Sequence, residues 1–135
     1  MDMVITNTKD SILITEAEPI EGDGPKILFV NEAFSKMTGY TPEEVIGKTP
    51  RILQGPDTDK NELARLKESM KKWEPCEIEV LNYKKNGEPF WNNFTIAPVA
   101  NETGWFGPGW FRWRWCLNRR GGTGLRGGRP GSRRR

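Results

Sequence analysis

Cys76-Glu77-Ile78-Glu79-Val80-Leu81-Asn82-Tyr83, then Lys84-Lys85-Asn86-Gly87, then Phe90-Trp91-Asn92-Asn93-Phe94-Thr95-Ile96-Ala97-Pro98-Val99 is the stretch on which the architecture turns. Side chains along a strand point alternately to its two faces, so a period of two marks a half-buried strand. Cys76, Ile78, Val80 and Asn82 share one face, and Glu77 and Glu79 take the other. On the returning run, Phe90, Asn92, Phe94 and Ile96 share a face. Asn86-Gly87 is a turn signal, so the two runs form an antiparallel hairpin. Keeping both apolar faces on the core side requires positions of equal parity to meet across the ladder. The expectation is that Asn82 and Asn92 lie opposite each other, across an odd loop with Gly87 in the left-handed conformation.

Upstream, Ser11–Thr15 and Lys26–Val30 read as short strands. The segment between them, Glu18–Pro25, is rich in Pro, Gly and acids and reads as a loop. Asn31 caps a short helix through Phe34 and Met37 that Gly39 stops. Thr41-Pro42-Glu43-Glu44 is a capping box with proline at the first helical position. Asp59–Trp73 is the clearest helix, with Leu63, Leu66, Met70 and Trp73 on one apolar stripe and Pro75 ending it. The order of strand, strand, short helices, long helix and hairpin implies an α+β domain, an antiparallel sheet with its helices on one face.

At 135 residues the chain has room for one domain and a tail. It has no histidine, which removes a His-based triad, most zinc sites and the phosphoacceptor of a histidine kinase from these residues. No metal site is expected. Two cysteines, Cys76 and Cys116, are too few for a disulfide framework, and a reducing cytoplasm is the default. Cys76 reads as a small buried apolar residue. No apolar run is long enough to span a membrane, and the N-terminus lacks a signal-peptide pattern. Residues 1–104 hold ten Lys, two Arg and eighteen acids, for a net charge of −6, whereas residues 105–135 hold nine Arg without a Lys or an acid.

Asn82 and Asn92 are the residues that point to a ligand. Each is a carboxamide on an otherwise apolar face, and a buried amide costs several kcal/mol unless its hydrogen bonds are made. A flat heterocycle with alternating donors and acceptors satisfies them; so would the two amides bonding each other, or a water.

Several motifs carry a family resemblance over about residues 10–106: Phe29-Val30-Asn31-Glu32-Ala33-Phe34, Thr38-Gly39-Tyr40, Gly47-Lys48-Thr49-Pro50-Arg51-Ile52-Leu53-Gln54-Gly55-Pro56, Asn82-Tyr83-Lys84-Lys85-Asn86-Gly87 and Phe90-Trp91-Asn92. They resemble the light-oxygen-voltage (LOV) branch of the PAS sensor family. That resemblance implies a five-stranded sheet whose last strand lies centrally, beside the first. It implies flavin mononucleotide (FMN) as cofactor, with Asn82 and Asn92 on the pyrimidine edge, Gln54 on the ring and Arg51 on the phosphate. Lys67 falls where many relatives have a second phosphate-binding arginine; lysine keeps the charge without the bidentate fork. Read without the resemblance, Arg51 and Lys67 are solvated surface charges. The branch has Asn-Cys where this chain has Thr49-Pro50, and that cysteine is the one that bonds to the flavin after blue light. With proline there, no thiolate is available for such an adduct.

The resemblance breaks at Gly107-Pro108-Gly109, and no Gln-Arg-Asp run follows. Phe111, Trp113 and Trp115 alternate with Arg112 and Arg114, so residues 107–117 are a candidate replacement for the last strand. Residues 118–135, Gly/Arg-rich, read as a disordered tail. An out-of-frame reading of a GC-rich gene is the expected source of residues 107–135, with weak nucleic-acid binding by the basic tail as the alternative. Residues 1–9 read as an N-terminal extension.

The reading as a whole is a sensory domain of a signal-transduction protein. It is not an enzyme by itself, and it holds a flavin without a covalent bond to report redox state or light. The alternative is a cofactor-free module for dimerisation or partner docking. In the family such domains form homodimers and regulate kinases, cyclases or transcription factors, and no such effector is present in this chain.

Overall fold

A computed structural model of the protein describes residues 10–100 and 111–119. The expectations for residues 1–9, 101–110 and 120–135, which include the end of the 10–106 domain, lie outside the described residues.

Five antiparallel strands form one sheet: β1 (Ser11–Glu16), β2 (Ile27–Val30), β3 (Cys76–Tyr83), β4 (Pro89–Ala100) and β5 (Phe111–Arg119). Their spatial order is β2-β1-β5-β4-β3. Three α-helices, α1 (Glu32–Thr38), α2 (Pro42–Val45) and α3 (Lys60–Lys71), and a 3-10 turn at Pro50–Leu53 lie between β2 and β3. The fold is the expected α+β arrangement, an antiparallel sheet whose last strand in sequence lies centrally beside the first.

The Trp/Arg segment supplies the central strand. It pairs with β1 from Ser11↔Leu117 to Glu16↔Arg112 and with β4 from Asn92↔Arg119 to Ala100↔Phe111. The strand runs through Arg119, two residues beyond the expected end at residue 117, because Asn118 and Arg119 still face Asn93 and Asn92 across the ladder. Its inward positions, Trp113, Trp115 and Leu117, are buried, while Arg112 and Arg114 alternate with them on the other face. The Trp113 indole donates to the Ala17 carbonyl at 3.1 Å, and the Trp115 indole donates to the Thr15 hydroxyl at 3.2 Å. Each ring therefore buries its apolar body and finds a partner for its one polar atom.

The core lies between this sheet face and the helices: Leu13, Ile27, Val30, Phe34, Val45, Leu66, Met70, Ile78, Val80, Phe94, Ile96 and the three inward β5 residues form one cluster. The helix starts follow their caps. Asn31 accepts from the Phe34 amide at 3.0 Å, Thr41 and Glu44 form the reciprocal capping box, and Asp59 accepts from the amides of Asn61 and Glu62.

The α3 stripe departs from its expectation at the end. Leu66 and Met70 are buried, Leu63 is half-buried, and Trp73 is 40% exposed beyond the helix. The helix stops because the Trp73 amide donates to the Met70 carbonyl and the Glu74 amide to the Ser69 carbonyl, both at 3.0 Å. These two bonds are a Schellman closure, and they place Trp73 at φ 57°, where glycine is usual. Its ring lies flat on Trp113, with centroids 5.2 Å apart and an interplanar angle of 8°. Cys76 is half-buried rather than buried, with its sulfur 3.8 Å from the Arg65 guanidinium.

The hairpin keeps the expected parity but not the expected register. Asn82 pairs with Phe90, and Asn92 with Val80. The connection is the odd loop Lys84–Glu88, with Gly87 at φ 91°. The register moves by two because the loop is anchored elsewhere. The Lys84 amide bonds the Glu88 carbonyl at 2.9 Å, the Lys85 amide bonds the Thr38 carbonyl at 2.9 Å, and the Lys85 ammonium pairs with Glu44.

Candidate functional site

A cavity of about 450 Å³ opens between the inner sheet face, the 3-10 turn, α3 and the loop before β2. That volume is in the range of small-molecule sites, roughly 300–1,000 Å³. Leu13, Leu66, Met70, Val80, Phe94, Trp115 and Leu117 make the wall apolar. Phe94 and Trp115 support each other there, with ring centroids 5.4 Å apart.

All five residues singled out from the sequence line this cavity: Arg51, Gln54, Lys67, Asn82 and Asn92. Three local structures bring them together. The 3-10 turn supplies Arg51, and Gln54 is its C-cap. Helix α3 supplies Lys67, and the β3–β4 hairpin supplies the asparagines. Asn82 and Asn92 are 4% and 1% exposed, so their polar atoms must be satisfied inside.

The two amides are diagonal neighbours rather than directly opposed. The Asn92 Nδ2 donates to Asn82 Oδ1 at 2.9 Å, and Asn92 Oδ1 accepts from the Asn118 amide at 3.2 Å. Asn82 Nδ2 has only a 3.4 Å contact to its neighbour's Leu81 carbonyl. A carboxamide has two donor hydrogens and two acceptor lone pairs, so both side chains keep unused capacity at the cavity. The pair is therefore fixed by the hairpin and β5 yet still able to bond a guest.

Thr49-Pro50 is explained by the turn it starts. The Thr49 hydroxyl accepts from the Arg51 amide at 3.3 Å, and Pro50 occupies the first helical position, where a missing N–H costs nothing. Pro50 lines the cavity, and neither cysteine does. Gly55 follows, packed so closely under Tyr83 that an added Cβ would meet the ring at 2.3 Å. The Tyr83 hydroxyl accepts from the Asp57 amide at 3.1 Å, and the Thr58 hydroxyl donates to the Leu81 carbonyl at 2.6 Å. These contacts clamp the loop carrying Arg51 and Gln54 onto β3.

Sequence reasoning missed the loop before β2, read only as a connector. Ile20, Asp23, Gly24 and Pro25 line the cavity. Glu21 reaches Lys67 at 2.7 Å with one carboxylate oxygen and Lys71 at 2.6 Å with the other. The hydrogen bonds from Lys67 and then Lys71 hold the Glu21 carboxyl at a pKa of about 2, below its ordinary 4.5. In return Glu21 pushes the Lys71 pKa up. The i, i+4 spacing of the two lysines on α3 was the available signal; nothing local told which acid would meet them. Among the described residues no cluster of His, Cys, Asp or Glu is placed to hold a metal, and no helix is long and apolar enough to cross a membrane.

Comparison with known proteins bears on the family and the fold. A family profile described as PAS domain matches residues 9–106. A blue-light-activated histidine kinase of Brucella anthropi is 44% identical over 104 residues, which are 77% of this chain and 19% of that protein. Phototropin-2 of Oryza sativa subsp. japonica is 44% identical over 78 residues, 58% of this chain and 9% of that protein. The chain thus spans about a fifth or less of the length of these relatives. Among solved structures, the LOV domain of a blue-light-activated histidine kinase from Erythrobacter litoralis superposes with a TM-score of 0.72 at 29% identity, covering 85% of this chain and 99% of that one. A light-oxygen-voltage domain studied with a flavin analogue has a TM-score of 0.70 at 26% identity, over 84% of this chain and 78% of that one.

Proposed function

Because this chain belongs to the PAS domain family, we propose that it is the sensory module of a signalling protein and holds a flavin, with FMN the first candidate, without a covalent bond. The observation that carries the reading is the convergence of three carboxamides, Gln54, Asn82 and Asn92, on one apolar cavity with Arg51 and Lys67 on its lining. Carboxamides carry donor and acceptor side by side, which suits a heterocycle edge that alternates the two. The apolar wall suits the flat remainder of such a ring, and Arg51 and Lys67, with Lys60 also on the lining, suit an anionic tail. When bound, the flavin supplies the absorption of blue light and the capacity for electron transfer. The chain's own residues bind the ring edge, orient it and exclude water with Leu13, Val80, Phe94 and Leu117.

Pro50 sets the kind of sensor. It lines the cavity, which Cys76 and Cys116 do not, and the sequence resemblance aligns it with the reactive cysteine of the related branch. The output is therefore a change of redox state or excitation that the amides feel, without a sulfur bonding the ring. The module is not itself a catalyst. It is cytoplasmic, forms a homodimer through the PAS domain and regulates an effector of the kinase, cyclase or transcription-factor type carried outside this sequence. The test is illumination of the flavin-loaded chain followed by denaturation. Complete release of the flavin is expected, and pigment retained on the polypeptide would refute the thiol-free reading.

A further inference from the structure

Glu21 is an acid held against a lysine of the cavity lining. Lys67 lines the cavity and is the lysine nearest in role to a phosphate clamp, yet its ammonium is 2.7 Å from a Glu21 oxygen. The second Glu21 oxygen takes Lys71, one turn further along α3, at 2.6 Å. Both ends of the carboxylate are thus engaged, and the loop that carries it also presents Ile20, Asp23 and Gly24 to the cavity. Arg51, on the same lining, makes no ion pair among the described residues.

We propose that Glu21 is a specificity-determining residue. It is a built-in anion that occupies the cationic subsite formed by Lys67 and Lys71 and competes there with the phosphate of a phosphorylated flavin. The inference rests on the flavin reading for the identity of the ligand, and on the salt bridges alone for the competition. A carboxylate and a phosphate monoester seek the same donors, and two like charges cannot share one ammonium without cost. A phosphate entering the subsite must release Glu21 into water and open the loop before β2. A flavin with an uncharged tail leaves Glu21 in place. The chain thereby gains less from a ligand phosphate than its set of cations suggests. The bond from loop to helix reports which kind of ligand is bound.

The three ionic side chains are partly exposed, with Lys67 at 41%, Lys71 at 42% and Glu21 at 64%. Exposed pairs are individually weak, so the effect is about two- to tenfold in affinity rather than all-or-none.

The experiment titrates the full chain and Glu21→Gln with riboflavin and with FMN, following ring fluorescence. The wild-type chain is expected to bind FMN no more than about threefold tighter than riboflavin, and Glu21→Gln to tighten FMN about two- to tenfold while leaving riboflavin unchanged. A variant that shifts both ligands alike, or neither, overturns the proposal. If neither flavin binds either protein, the flavin reading fails, and inorganic phosphate decides the role of Glu21. Amide NMR shifts at residues 20–24 and 67 that saturate at lower phosphate in Glu21→Gln than in wild type uphold the competition. Identical phosphate responses in the two proteins overturn it.

Discussion

Asn92 donates its side-chain amide to the carbonyl oxygen of Asn82 at 2.9 Å, and in doing so joins two strands at the floor of the cavity. Asn92 also accepts from the Asn118 backbone of β5. Replacing Asn92 alone by leucine strands an acceptor on Asn82 and a donor on Asn118. The expected loss is about 1–3 kcal/mol of unfolding free energy in a urea titration. Adding Asn82→Leu removes one of those orphans, so the double variant should be destabilised by less than the sum of the singles.

Trp113 is fully buried, carries Trp73 on its face and bonds Ala17. Trp113→Ala should cost about 3–5 kcal/mol. Equilibrium unfolding of the variant measures directly how far the Trp/Arg strand stabilises the domain.

Trp73 holds a left-handed backbone that glycine adopts freely, and it offsets that strain by stacking on Trp113. Trp73→Ala loses the stack and keeps the strain, whereas Trp73→Gly loses the stack but relieves the strain. Alanine should therefore be the more destabilising of the two, by roughly 1 kcal/mol. Paired denaturant melts compare them.

Gly55 lies under Tyr83 with no room for a methyl group. Gly55→Ala should cost about 1–3 kcal/mol through overpacking. Combining it with Tyr83→Ala should recover part of that loss, since the ring that clashes is then gone. Thermal melts of the two singles and the double make the cycle.

Glu21 has a lowered pKa in the folded protein, about 2 against an ordinary 4.5, because Lys67 and Lys71 bond its charged form. A depressed carboxyl contributes stability that is present above the unfolded value and is lost as pH falls through the folded one. The contribution of the latch should fade between about pH 4.5 and pH 2, and Glu21→Gln should lack that part of the acid profile. Because all three groups are exposed, added salt should weaken the latch. A carboxyl NMR titration of Glu21 in the Lys67→Ala, Lys71→Ala background should return its pKa toward the ordinary range.

Much of this was legible in sequence for definite reasons. Period-two alternation placed Ile78, Val80, Phe94 and Ile96 on the core face, and local side-chain bonds at Asn31, Thr41 and Asp59 set the helix starts. Parity also put Asn82 and Asn92 on the same face. The register itself was not legible, since a slip of two residues preserves the face of every side chain. It was decided by tertiary bonds from Lys85 to Thr38 and Glu44. Trp73 continued the helical period, so only the Schellman closure and the partner Trp113, far away in sequence, reveal that it leaves the helix. Glu21 had the same defect of information: its loop has no periodicity, and its lysines are distant along the chain.

The central claim is that the amides of Asn82 and Asn92 grip a planar heterocycle. Its most direct measurement is retention of riboflavin and FMN on gel filtration by wild type and by Asn82→Leu/Asn92→Leu, with circular dichroism to verify that both are folded. The account predicts stoichiometric ring absorbance eluting with the wild-type chain and affinity lowered at least about tenfold in the double variant. Flavin held equally well by both folded proteins, or by neither, would contradict it.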